Sequence, residues 1–204
     1  MNGLYALKPW YAERLAGVRA ALVRRAVSPD TLTWAGVLCA AGAGAALGLL
    51  PAPYAALPVA VLLAARLAFA NLDGALARDT GRCTRRGAVL NELGDRLADL
   101  AVLAGFLWVA PVGPVAAAAL AATLPSWVAL AGAATGAPRR NGGPMGKTER
   151  CALAVVAAAS GWYVPVLALV AVGSVVTAGV RLRGVWRELT DRPAPAADLT
   201  GSPR

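Results

Sequence analysis

The chain has 204 residues, with Lys plus Arg 20, Asp plus Glu 11 and no histidine, a formal charge of +9. Hydrophobic residues make up 58% and charged residues 15%, with mean hydropathy +0.58, against about 45–50% and roughly 25% in a soluble domain. These figures exclude a disordered chain, Ser-His-Asp and Cys-His chemistry and histidine-ligated zinc, and they point to a membrane protein with a basic cytoplasmic rim rather than to a nucleic-acid binder.

Leu4, Leu7, Tyr11, Leu15, Val18 and Leu22 recur every three or four residues, which is one face of a helix. Lys8, Arg14, Arg19, Arg24 and Arg25 flank that face. Residues 1–26 therefore read as an amphipathic helix on the membrane surface. They lack the uninterrupted apolar core of a signal peptide. Ser28-Pro29-Asp30 breaks the pattern, and residues 31–50 carry no charge. At about 1.5 Å per residue that stretch spans roughly 30 Å, one hydrocarbon thickness.

Pro51-Ala52-Pro53 turns the chain into a second apolar helix from Tyr54 to about Arg78, interrupted by Arg66 and Asp73. Residues 79–86 form a basic loop. A third helix runs from Gly87 to about Ala110, with Asn91, Glu92, Asp95, Arg96 and Asp99 in its first half. A turn at 111–114 leads to a fourth helix ending near Ala134. Residues 135–150 read as a polar, Gly-rich loop, followed by a fifth apolar stretch to Ser160. The turn at 161–165 holds Trp162 and Tyr163, suited to a membrane interface. A sixth helix runs from Val166 to about Leu189. The expected fold is an all-α integral membrane protein: a juxtamembrane helix over 1–26, six transmembrane helices over 27–189, and a flexible cytoplasmic tail over 190–204.

The turns at 51–53, 111–114 and 161–165 hold no charge, whereas the alternate connections are basic. That pattern places both termini and the basic loops in the cytoplasm, with the cytoplasmic (inner) membrane as the expected location. Cys39, Cys83 and Cys151 cannot all pair and form no C-x-x-C, so they read as reduced thiols without a redox or metal role. Gly142-Gly143-Pro144-Met145-Gly146-Lys147-Thr148 lacks the glycine that a phosphate-binding P-loop needs at position 141 and follows no strand. Gly44-x-x-x-Gly48 suits close helix packing.

Ionisable residues inside spans are costly and mark function. Asp73 lies near the cytoplasmic end of the second helix, and Asn91, Asp95 and Asp99, at i, i+4 and i+8, share one face of the third. A short loop between the two helices should bring Asp73 level with Asn91 and Asp95. Oxygen donors without His or Cys suit Mg²⁺ or Mn²⁺. Arg78 and the glycines Gly74 and Gly87, which admit a ligand close to the backbone, add a place for phosphates. Arg66 lies about 10 Å deeper than Asp73, level with Asp99. An Arg66–Asp99 ion pair is the simplest reading, with Asp99 or Glu92 as a further metal ligand the other. Asp73 and Asp95 have their own structural alternative, in pairs with Arg78 and Arg96.

The run Asp73-Gly74-Ala75-Leu76-Ala77-Arg78, eight residues, Gly87, three residues, Asn91, three residues, Asp95 resembles the signature of the CDP-alcohol phosphatidyltransferases, D-x-x-D-G-x-x-A-R, about eight residues, G-x-x-x-D-x-x-x-D. The approach to the first span, Val27-Ser28-Pro29-Asp30-Thr31-Leu32-Thr33, is similar too. The first and third signature aspartates are replaced here by Ala70 and Asn91, as in a branch carrying A-N-x-L-D-G and L-N-E-x-x-D. Family members usually hold two metals on four aspartates.

The resemblance implies an enzyme of phospholipid biosynthesis that transfers a phosphatidyl group from CDP-diacylglycerol to an acceptor alcohol and releases CMP. It implies metal at Asp73, Asn91 and Asp95, with Asp95 as general base. It implies CDP at Gly74, Ala77, Arg78 and Gly87, and a homodimer in the bilayer. An acceptor phosphate is expected on Arg139, Arg140, Lys147 and Arg181, with Arg183 nearby; ordinary positive-inside charge is the simpler account of these residues. The altered signature also allows a catalytically silent relative with a structural or regulatory role, and metal binding separates the two.

Overall fold

The computed structural model describes residues 13–191. Leu4, Leu7, Tyr11 and most of the tail lie outside them. Among the described residues the elements are all helical. Helix α1 is Ala16–Arg24, α2 Pro29–Leu49, α3 Ala56–Asp79, α4 Arg85–Gly105, α5 Val112–Ala134, α6 Lys147–Ser160 and α7 Tyr163–Asp191. A 3-10 turn, Phe106–Trp108, follows α4.

Local chemistry explains the helix ends. Pro29 opens α2, where its missing N–H leaves nothing unsatisfied, and Asp30 faces the positive end of the helix dipole. Thr84 caps α4, its Oγ1 accepting the Gly87 N–H at 2.9 Å. The loop expected at 135–150 ends sooner, because α6 already begins at Lys147. The cause is Glu149, whose carboxylate accepts the Gly146 N–H at 3.0 Å and closes the first turn. Gly161 ends α6 at φ 73°, a left-handed conformation that favours glycine.

Helices α2, α3, α5 and α7 are long and apolar enough to cross a membrane, so the chain is a multi-pass membrane protein. Leu38, Leu57, Val61, Leu120 and Val172 point outward from them. Helix α4 carries its charges at one end, and α6 has 14 residues, about 21 Å at 1.5 Å each, shorter than a full hydrocarbon core.

Helix α2 packs along both α3 and α4, α5 packs along α7, and α6 touches α3 and α7. Glycine sets the closest approach: a side chain on Gly105 would strike the Gly44 backbone, and one on Gly44 the Ala101 carbonyl. The core is built mainly of Ala, Val and Leu from α2 through α7, with Phe106 edge-on to Tyr163 at 6.2 Å between ring centroids. Helix α1 rests on α3. Leu15 and Leu22 pack with Leu32, Leu72 and Leu76, whereas Val18 is exposed. The side chain of Arg19 pairs with Asp79 at 3.1 Å.

Candidate active site

Helices α3 and α4 do not lie along each other. Both are held by α2, and a pocket opens between them, lined by Thr33, Ala70, Asp73, Asn91, Gly94 and Asp95 among others. All four signature positions, 70, 73, 91 and 95, thus meet at one place. The loop joining α3 to α4 is short, but α2 supplies the floor that brings these residues level.

Asp73 is buried, with 4% exposure. Its Oδ2 accepts a hydrogen bond from Thr33 Oγ1 at 2.9 Å, and its Oδ1 accepts one from the Gly74 N–H at 2.5 Å. The pairing with Arg78 set out as an alternative is not formed. Arg78 is exposed and folds back toward Gly74, where an added Cβ would lie 3.4 Å from its Nη1. The Ala77 side chain is half-buried on the same turn. Gly87 lies at the start of α4, where its N–H serves the Thr84 cap.

Asp95 is half-buried, and both of its oxygens accept hydrogen bonds from Lys147 Nζ, each at 2.7 Å. Its expected alternative partner, Arg96, instead donates to Ser126 Oγ and lies 3.7 Å from Glu92. One rung deeper, Asp99 is held between Arg66 at 2.6 Å and Arg150 at 2.5 Å. Asp99 is therefore an ion-pair residue, as the simplest reading of Arg66 and Asp99 expected. Arg66 is buried to 1% exposure, and its Nη1 also donates to Cys151 Sγ at 3.5 Å. A buried carboxylate flanked by two guanidiniums is compensated, whereas removing it strands both.

Lys147 and Arg150 lie three residues apart on α6, and Asp95 and Asp99 four apart on α4, so the two ion pairs form successive rungs. These long side chains tie α6 to α4 across the pocket.

The four basic residues expected to gather around an acceptor phosphate do not form one open cluster. Arg139 pairs with Glu92, Arg140 with Glu188 at 2.6 Å, and Lys147 with Asp95. Arg181 differs. It donates to the carbonyls of Gly142 at 2.8 Å, Pro125 at 2.9 Å and Asn141 at 3.1 Å. The Gly-rich loop itself is laid against α7. Gly143 has φ 128°, a Cβ there would strike Thr177, and Thr177 Oγ1 accepts the Met145 N–H at 2.8 Å.

Two of the pocket residues to which the sequence reading gave no site role bear directly on Asp73. Thr33 is the first; the sequence reading took it only as part of the approach to the first span. Gly94 is the second, since a side chain there would meet Thr33 Cγ2 at 2.6 Å and push it off Asp73.

Among the described residues no group of three or more His, Cys, Asp or Glu comes together as a metal cage. The pocket offers two carboxylates and the Asn91 amide. That set fits one hard cation, which takes oxygen donors and completes its shell with water and substrate phosphates.

The sequence profile of the CDP-alcohol phosphatidyltransferases matches residues 26–182, and the chain belongs to this family of enzymes of phospholipid synthesis. It is 35% identical to the phosphatidylinositol phosphate synthase of Mycobacterium marinum, over 90% of this chain and 87% of that one. It is 30% identical to the inner membrane protein YnbA of Escherichia coli, over 72% and 74%. Its fold matches the crystal structure of Mycobacterium tuberculosis phosphatidylinositol phosphate synthase with CDP-DAG bound, at TM-score 0.70 and 26% identity, covering 88% of this chain and 97% of that chain. The same protein has been solved in complex with manganese and citrate, at TM-score 0.70 and 26% identity, covering 88% and 92%. The family uses a divalent metal.

Proposed function

We propose that the protein transfers the phosphatidyl group of CDP-diacylglycerol to an acceptor alcohol, at the pocket between α3 and α4. The observation that carries this reading is the meeting of positions 70, 73, 91 and 95 at one pocket beside Gly74 and Arg78. Asp73, Asn91 and Asp95 hold one Mg²⁺ or Mn²⁺, which, when bound, neutralises the pyrophosphate and polarises the reacting phosphorus.

The chain's own groups do the rest. Thr33 and the Gly74 amide fix the Asp73 carboxylate. Arg78, exposed at the mouth, supplies a guanidinium for the pyrophosphate, with Gly74, Ala77 and Gly87 keeping that surface free of bulk. The acceptor oxygen attacks the lipid-side phosphorus, its proton passes to an oxygen of Asp95, and the bond to the CMP oxygen breaks.

The relatives' name supports a phosphorylated polyol as acceptor. Arg181, bonded to carbonyls alone, is the best-placed cation for its phosphate; Arg139, Arg140 and Lys147 reach such a phosphate only by leaving their carboxylates. The charge pattern of the connections supports six spans, with α4 and α6 as the remaining two, and a site open to the cytoplasm. The likeness to YnbA supports the inner membrane. A homodimer is supported by the family resemblance alone, and cross-linking of the purified protein tests it.

The test is release of CMP from CDP-diacylglycerol by purified protein with Mg²⁺ or Mn²⁺ and a panel of acceptors that includes inositol phosphate. Release is expected with at least one acceptor. Asp95→Asn should lower it by at least about 10²-fold, the usual worth of general-base help. No release across the panel, with no Mn²⁺ bound, favours the silent relative.

A further inference from the structure

We infer that Lys147 is a built-in cation of this site: its ammonium stands in for one of the two divalent ions that four signature aspartates hold, so that the chain binds a single ion. The inference deepens the reading above and rests on it.

Charge balance gives the first argument. With Ala70 and Asn91 at two signature positions, the pocket keeps two carboxylates, Asp73 and Asp95. Two divalent ions would bring four positive charges against two negative ones, with no third acid in reach among the described residues. One ammonium and one divalent ion leave a single positive charge in excess.

Geometry gives the second. Lys147 Nζ lies 2.7 Å from each oxygen of Asp95, a symmetric seat on the carboxylate. A carboxylate has about four lone-pair sites, so Asp95 keeps room for one further cation beside Lys147. Lys147 is not a wandering surface lysine. It is the first residue of α6, behind the turn closed by Glu149 and Gly146. The next rung, Arg150 on Asp99, anchors the same face of α6. The two missing acids and the one fixed ammonium thus lie in one place.

The experiment counts metal directly. The full-length protein, purified in detergent and free of substrate, is titrated with Mn²⁺ alone, and the bound ion is followed by electron paramagnetic resonance. Wild type is expected to bind at most one Mn²⁺ per chain. Removing the competing charge with Lys147→Met should tighten Mn²⁺ binding by at least about tenfold, and Lys147→Gln should do the same if the methionine variant does not fold. Ala70→Asp with Asn91→Asp should admit a second ion only when Lys147 is also replaced. Two ions on wild type, or equal affinity in wild type and both Lys147 variants, would overturn the inference. CMP release plays no part in this count: a chain that proves inactive can still show the gain on removing Lys147, and an active one can still fail to show it.

Discussion

The residue on which the site's geometry turns is Thr33. It sits on α2, outside the signature, yet its hydroxyl orients the buried Asp73 carboxylate. Thr33→Val keeps shape and volume but strips a buried carboxylate oxygen of its donor, a change that costs about 1–3 kcal/mol. The expected result is a lower thermal midpoint in detergent and a weaker hold on Mn²⁺, whereas Thr33→Ser should preserve both. The signature residues were readable because their spacing is a chemical pattern within two short stretches of sequence. Thr33 and the Lys147–Asp95 pair were not, since each joins residues far apart in the chain and depends on where α2 and α6 come to rest. Arg66 and Asp99 were readable for a different reason. Two opposite charges at matching depth in apolar helices have few alternatives to each other; the third member, Arg150, escaped because it lies in what read as a loop.

Among the elements, α2 and α4 depend on closeness and α4 and α6 on reach. At the crossing of α2 and α4, Gly44 and Gly105 bring backbone against backbone. Any side chain at 44 meets the Ala101 carbonyl, which cannot rotate away. Gly44→Leu should therefore misfold or lose more than about 3 kcal/mol, beyond ordinary overpacking. Gly17→Leu, on the open side of α1 where an added Cβ meets nothing, should have little effect; expression and thermal midpoint compare the two. Between α4 and α6 the link is the pair of ion-pair rungs. Asp99→Ala strands Arg66 and Arg150 and should cost about 3–5 kcal/mol. Asp99 is nearly buried, at 9% exposure, so the difference between wild type and variant should persist at high salt, unlike that of a surface pair. Helix positions were legible from apolar runs and turn residues alone. The splay of α3 from α4 was not, because nothing local in the sequence says that α2 is the helix both of them pack against.

At the scale of the whole molecule, orientation reduces to which side each connection faces. The α3–α4 connection is basic and holds Cys83, which is exposed, whereas Cys39 is half-buried and Cys151 buried. The α2–α3 turn carries no charge and presents Tyr54, exposed to 76%. If α3 crosses the bilayer and the positive-inside rule holds, the two connections face opposite compartments. A membrane-impermeant maleimide should then label Cys83 in sealed inside-out vesicles and leave it unmodified in right-side-out ones. A Tyr54→Cys chain, with Cys83 replaced by Ser, should show the reverse. Because the pocket mouth with Arg78 lies at the Cys83 end of α3, labelling of Cys83 from the cytoplasmic side also fixes the side from which a nucleotide reaches the site. Labelling of both positions from one side would mean that α3 does not span, and the six-span arrangement would fall with it.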